Sequence, residues 1–101
     1  MGRRVSLAIL CRISGIRGTV SAQVYDLGIE GCRLLSPRTY VQGAPVTIAL
    51  RLVHPDPEIE IPGEILWAKE GPSPGTHLLG CRFKHTLETR KRLAHVVELL
   101  K

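Results

Sequence analysis

Hydrophobic residues recur at every second position in six short runs, and the repeat lengthens to a helical one only at the C-terminal end. A period of two puts alternate side chains on opposite faces, so each run reads as a strand with one face buried. Val5, Leu7, Ile9, Cys11 and Ile13 make the first. Gly15 and Gly18 bracket a turn, and Val20, Ala22 and Val24 return as the second arm of a hairpin, with Tyr25 on the polar side. The segment Asp26 to Gly31, DLGIEG, breaks that run. Cys32 and Leu34 begin a third strand that stops at Ser36 and Pro37, because proline cannot donate to a ladder. Val46, Ile48, Leu50 and Leu52 share one face of a fourth, opened by Pro45. After a proline-punctuated turn at His54 to Pro57, the residues Ile59, Ile61, Gly63, Ile65 and Trp67 fall in phase as a fifth, which makes Trp67 a core residue. GPSPGT, from Gly71 to Thr76, turns the chain into a sixth strand carrying Leu79, Cys81 and Phe83.

At Thr86 the period changes. Leu93, Val96, Val97 and Leu100 stand at i, i+3, i+4 and i+7, Thr86 is placed to cap the helix, and Glu88 lies in its first turn. Glu88 and Arg92 have i,i+4 spacing, and the run Arg90, Lys91, Arg92 lies off the apolar stripe as a solvated face. Short strands closed by one amphipathic helix predict a mostly β, antiparallel barrel or sandwich, with strands over about 5–84 and the helix over about 87–100. The 101 residues suit a single domain, and 44% hydrophobic residues supply enough apolar surface for a core. No apolar run reaches the roughly 18 residues of a membrane span, and the start lacks a small-residue cleavage site, so a soluble, unexported, cytoplasmic chain is expected.

Cys11, Cys32 and Cys81 contain no C-x-x-C pair, and each falls on an apolar strand phase. They are expected to be reduced and buried. The histidines His54, His77, His85 and His95 lack metal-ligand spacing. No nucleophile elbow, phosphate loop or acid-base pair is visible, so neither catalysis nor a cofactor is expected.

Charge is distributed unevenly. Residues 1–50 carry six arginines against Asp26 and Glu30, 6 − 2 = +4, whereas the remaining residues carry eight basic and seven acidic groups, 8 − 7 = +1. Guanidinium presents a planar fork of donors suited to phosphate oxygens or the guanine edge. Arg3 and Arg4 directly precede the first strand, and the D-x-G-x-x-G of Asp26, Gly28 and Gly31 directly follows the second. A hairpin brings these two places to the same end. There a carboxylate can accept from a guanine edge, arginine can read O6 and N7 or grip phosphate, and glycine allows close backbone approach. A frayed terminus and an ordinary β-turn would account for the same residues without a ligand.

RVSLAILCRI, VYDLGIEGCRLL, GEILWAKE and LGCRFKHT follow one another with the order and spacing of a PilZ domain, and the sequence resembles that family over nearly its whole length. The family pattern is an R-x-x-x-R pair leading into the first strand, [DN]-x-S-x-x-G after the second, then G-x-[IV]-x-W and G-x-x-F. The resemblance implies a six-stranded antiparallel PilZ-like β-barrel with a C-terminal α-helix. It further implies a receptor for cyclic di-GMP, a bacterial second messenger with two phosphates and two guanines. By the same resemblance Arg4 takes the place of the second arginine, Asp26 the Asp/Asn place and Gly31 the final glycine.

Two departures accompany it. The first arginine of the pair would fall ahead of Met1, with Arg3 adjacent rather than equivalent, and Gly28 stands where the family has serine. A lost bidentate arginine contact weakens recognition by about 1 to 3 kcal/mol, and a lost hydrogen bond to a charged group by about 1.5 to 3 kcal/mol. The resemblance therefore implies either a module that binds cyclic di-GMP through Arg3, Arg4, Asp26, Gly28 and Gly31 and relays the signal to a protein partner, or an adaptor that works by protein contact alone. Single-stranded nucleic acid is a poorer match, because such platforms need stacked aromatics and only Tyr25, Tyr40, Trp67 and Phe83 are available.

Overall fold

The computed structural model describes residues 4–51 and 58–99, with side chains described from Ile9 to Glu98 within that range. Six strands precede one helix: β1 (Arg4–Gly15), β2 (Gly18–Gly28), β3 (Gly31–Ser36), β4 (Pro45–Leu50), β5 (Ile59–Glu70), β6 (His77–Phe83) and α1 (Leu87–Leu99). All pairings are antiparallel, and the strands close into a barrel in the order β1-β2-β3-β6-β5-β4. Closure gives each strand a hydrogen-bonded neighbour on both sides.

The alternation read from the sequence fills the barrel. Cys11 and Ile13 from β1, Ala22 and Val24 from β2, Cys32 and Leu34 from β3, Val46, Ile48 and Leu50 from β4, Ile59, Ile61 and Ile65 from β5, and Leu79, Cys81 and Phe83 from β6 form one buried cluster. All three cysteines are buried among these residues. Leu52 and the turn at His54 to Pro57 lie outside the described residues.

Helix α1 adds Leu93, Val96 and Val97 to this cluster. Its start is a reciprocal cap. The Thr86 hydroxyl accepts from the Thr89 amide at 3.1 Å while the Thr89 hydroxyl accepts from the Thr86 amide at 3.0 Å, which satisfies two donors that the first helical turn leaves unpaired. Leu93 has no exposed surface, so truncating it to alanine costs about 2 to 5 kcal/mol.

Three irregularities shift the alternation, between Ser6 and Ile9, between Val24 and Asp26, and between Ile65 and Trp67. Two of them alter the sequence reading. β2 does not end at Tyr25 but continues through the bulge to Gly28, so that only Ile29 and Glu30 separate it from β3. Trp67 is not in the core. The bulge after Ile65 reverses the phase of β5, and Trp67 emerges on the outer wall with 36% of its surface exposed.

Candidate functional site

The register of the first hairpin fixes where the charged residues meet. Arg4 lies opposite Gly28 and Ser6 opposite Asp26, so the backbone brings the end of β1 alongside the Asp-x-Gly-x-x-Gly turn. Arg3 lies outside the described residues. Gly31 opens β3 opposite Arg82, where a Cβ would collide with the carbonyl oxygen of Cys81. Close approach of β3 to β6 therefore requires glycine at this position, independently of any ligand.

Asp26 is 3% exposed and lies opposite Arg33 across β2 and β3. The Arg33 Nε donates to Asp26 Oδ2 at 2.5 Å, and its terminal NH2 group approaches the same oxygen. This contact holds the guanidinium more firmly in its charged form, chiefly through the hydrogen bond to Asp26 and then through the charge of that carboxylate. The guanidinium also lies 5.5 Å from the Tyr25 ring centroid, within cation-π range. A buried acid thus orients a half-exposed arginine on the outer wall. Arg33 played no part in the sequence reading of this site. Its spacing from Asp26 becomes informative only once the bulge between Val24 and Asp26 sets the register.

The same wall continues across the next two strands. Arg33 lies opposite Gly80, and Gly80 lies opposite Trp67. Residues directly opposite in antiparallel strands share a face, and the Trp67 ring lies over Gly80, where a Cβ would collide with it. Lys69 reaches back over this ring, its Nζ 5.4 Å from the centroid. The absence of a side chain at 80 makes room for a flat aromatic surface on the lateral row that holds the Asp26-anchored arginine. Farther along the wall Glu64 pairs with Arg82, which lowers the Glu64 carboxyl below its ordinary range.

The turn is held from the other side by the segment leading into α1. The Phe83 amide donates to the Glu30 carbonyl at 2.9 Å, and His85 Nε2 donates to the Ile29 carbonyl at 2.7 Å. Since a carbonyl only accepts, Nε2 carries a proton, and Nδ1 lies within hydrogen-bonding distance of the Thr89 hydroxyl, 3.0 Å away. Arg90 completes the clasp with an ion pair to Glu30 at 2.9 Å. These contacts join residues far apart in the chain, and no local motif announces them. Among the described residues, no group of three or more His, Cys, Asp and Glu side chains is placed to hold a metal ion.

A closed six-stranded barrel with a terminal helix, arginine at the lead of β1 and a glycine-bearing acidic turn beside it, is the architecture of a PilZ barrel. The profile of the PilZ domain matches residues 2–100, and the chain belongs to that family, whose members are binding and adaptor modules for cyclic di-GMP signalling. No sequence match to a curated protein reaches significance.

Solved structures share the fold at low identity. The PilZ domain of YcgR from Escherichia coli, determined with c-di-GMP, superposes with a TM-score of 0.79 over 98% of this chain and 88% of its own, at 16% identity. MrkH of K. pneumonia in its apo state gives 0.79 over 99% of this chain and 49% of its own, at 18% identity. The Bacillus subtilis inhibitor of motility MotI/DgrA gives 0.76 over 97% and 49%, at 10% identity. The chain spans about half the length of the latter two proteins. Among the described residues, no helix is long and apolar enough to cross a membrane.

Proposed function

We propose that this domain is a cytoplasmic receptor module that binds cyclic di-GMP on the outer wall between the 26–31 turn and Trp67, and passes the bound state to a protein partner. The observation that carries the reading is the anchoring of Arg33 by buried Asp26 on the lateral row that carries the Trp67 ring. The ligand has two kinds of group to satisfy. Its phosphates and the O6/N7 edge of guanine accept from guanidinium, which Arg33 offers, and the register sets the Arg4 backbone beside Gly28 as a second candidate. Its bases need a flat apolar face, and stacking on an aromatic is worth about 1 to 3 kcal/mol per base. Asp26 serves first to orient Arg33, and the glycines at 28 and 31 keep the backbone low beside the ligand. The solved YcgR domain with c-di-GMP, similar over nearly all of this chain, supports the same ligand.

Gly28 supports a second reading. Where the family motif has a hydroxyl this chain has none, and a barrel with weakened nucleotide affinity would act as an adaptor through protein contact alone.

Calorimetric titration with cyclic di-GMP, read in parallel by the emission of the single tryptophan, separates the two. Saturable heat accompanied by a change in Trp67 emission is expected. Absence of both at high micromolar ligand leaves the adaptor reading in place of the receptor.

A further inference from the structure

At the far end of β1 from Arg4, the tip of the β1–β2 hairpin and the segment between β3 and β4 enclose a cleft of about 540 Å³. From this cleft the geometry points to a docking site for a partner protein that inserts an apolar side chain flanked by carboxylates. This site is separate from the nucleotide surface and does not depend on it.

The surface around the cleft is apolar where solvent would favour polar residues. Ile16 sits at the hairpin tip with its side chain fully exposed, and Val41 on the facing lip is 77% exposed. The turn has no need of isoleucine, since the left-handed conformation in it belongs to Gly18, at φ 110°. Ala44 and Pro45 line the wall, and Tyr40 lies across Gly15, leaving only ordinary van der Waals room beyond it. The Tyr40 hydroxyl is buried yet has no hydrogen-bond partner among the described residues.

Charge selects the occupant. Arg17 donates to the Thr39 carbonyl at 2.9 Å, and Arg38 donates to the Arg17 carbonyl at 3.3 Å. These bonds tie hairpin to loop, so the cleft walls are preformed. They are also made to backbone, and neither guanidinium enters any salt bridge found among the described residues. Two cations thus flank an apolar cleft that has no acid in its lining. A protruding Ile16 beside a recess is a knob-and-hole surface, which matches another protein better than a small ligand enclosed on all sides.

The test uses the intact chain labelled with ¹⁵N and three blocked hexapeptides of alternating sequence: glutamate–leucine, lysine–leucine and glutamate–serine. The expected result is that only the glutamate–leucine peptide shifts the amide signals of Ile16, Tyr40 and Val41. Ile16→Asp and Arg17→Glu should each weaken that response by about five-fold or more, the scale of one lost surface contact. Both positions are exposed, so an unchanged amide spectrum elsewhere certifies the fold of each variant. Equal shifts from the lysine–leucine peptide, or none from any peptide at millimolar concentration, overturn the proposal. So does an equal response to isovalerate, which would make the cleft a site for a small amphiphile. Shifts of the same amides with protein concentration alone would assign the cleft to a second copy of this chain and overturn it as well.

Discussion

The carboxylate of Asp26 and the guanidinium of Arg33 face each other across β2 and β3, the acid buried and the base half exposed. This asymmetry decides which residue faces a ligand. On the proposed reading Arg33 contacts the ligand and Asp26 supports it. Arg33→Ala should leave the barrel folded but weaken cyclic di-GMP by about ten-fold to a hundred-fold, the equivalent of one hydrogen bond to a charged group. Asp26→Ala should weaken binding similarly and also destabilise the fold by about 1 to 3 kcal/mol, because it removes a buried hydrogen-bonding partner. Calorimetry beside urea unfolding separates the two effects. Equal destabilisation by both variants with unchanged affinity would make the pair purely structural.

Gly80 is the space into which Trp67 lies. Gly80→Ala should push the ring off the wall toward solvent, red-shifting its emission. The partial exposure of Trp67 lets the ring swing away, so the melting temperature should fall by only a few degrees. Gly31→Ala makes the contrasting case, because its collision is with the Cys81 backbone, which cannot yield without parting β3 from β6. That variant should lose far more stability. If Trp67 stacks on a base, Gly80→Ala weakens cyclic di-GMP while the fold persists. Unchanged affinity would remove Trp67 from the site.

Gly28 has no positive φ, so an L side chain is compatible with its backbone. Gly28→Ser supplies the hydroxyl present in the family motif, and one added hydrogen bond to phosphate should tighten cyclic di-GMP binding by about ten-fold or more. Titration of this variant against the parent chain checks it. No gain in affinity would show that the motif serine has no counterpart role in this barrel.

Glu64 and Glu58 both have lowered carboxyl pKa values, Glu64 mainly through its hydrogen bond from Arg82 and Glu58 mainly through that from Arg12. For such groups the stabilisation is complete above the ordinary value of 4.5 and disappears as pH falls through the lower folded value. These two groups therefore leave urea midpoints steady from that pH up to neutrality and make them decline below it. Glu64→Gln should flatten part of the decline while lowering the plateau slightly, as expected of an exposed pair. An acid limb unchanged by this variant would assign the loss to other carboxylates.

The alternation that builds the core is local and therefore legible. Cys11, Cys32 and Cys81 could be placed inside because each shares a phase with its apolar neighbours, and Thr86 could be placed as a cap because the period changes beside it. Trp67 shows where that reasoning stops. One extra residue after Ile65 reverses the face, and a bulge leaves no mark in the period itself. Asp26 was legible as an acid at the end of the first hairpin, but its partner was not, since pairing with Arg33 depends on the bulge after Val24. The His85 and Arg90 contacts to Ile29 and Glu30 were beyond reach for another reason. They cross 56 and 60 residues of chain, a separation set only by closure of the whole barrel.

Cys11 supplies a prediction at the opposite end of the pH scale. Burial, and secondarily the nearby Cys81, push its thiol from 9.0 up to about 12. The folded chain therefore keeps a proton that the unfolded chain releases. Below the ordinary value both states are protonated and the thiol has no pH effect. Between 9.0 and about 12 the unfolded state alone ionises, and stability falls as pH rises. Cys11→Val keeps a small apolar group in the core and removes the titration, so its alkaline limb should be shallower than that of the parent chain. Iodoacetamide should modify position 11 only after denaturation, because the thiolate is the reactive form and the fold suppresses it. Rapid alkylation of Cys11 in the folded chain at neutral pH would show that β1 opens locally, and the alkaline limb would then report that opening rather than the buried thiol.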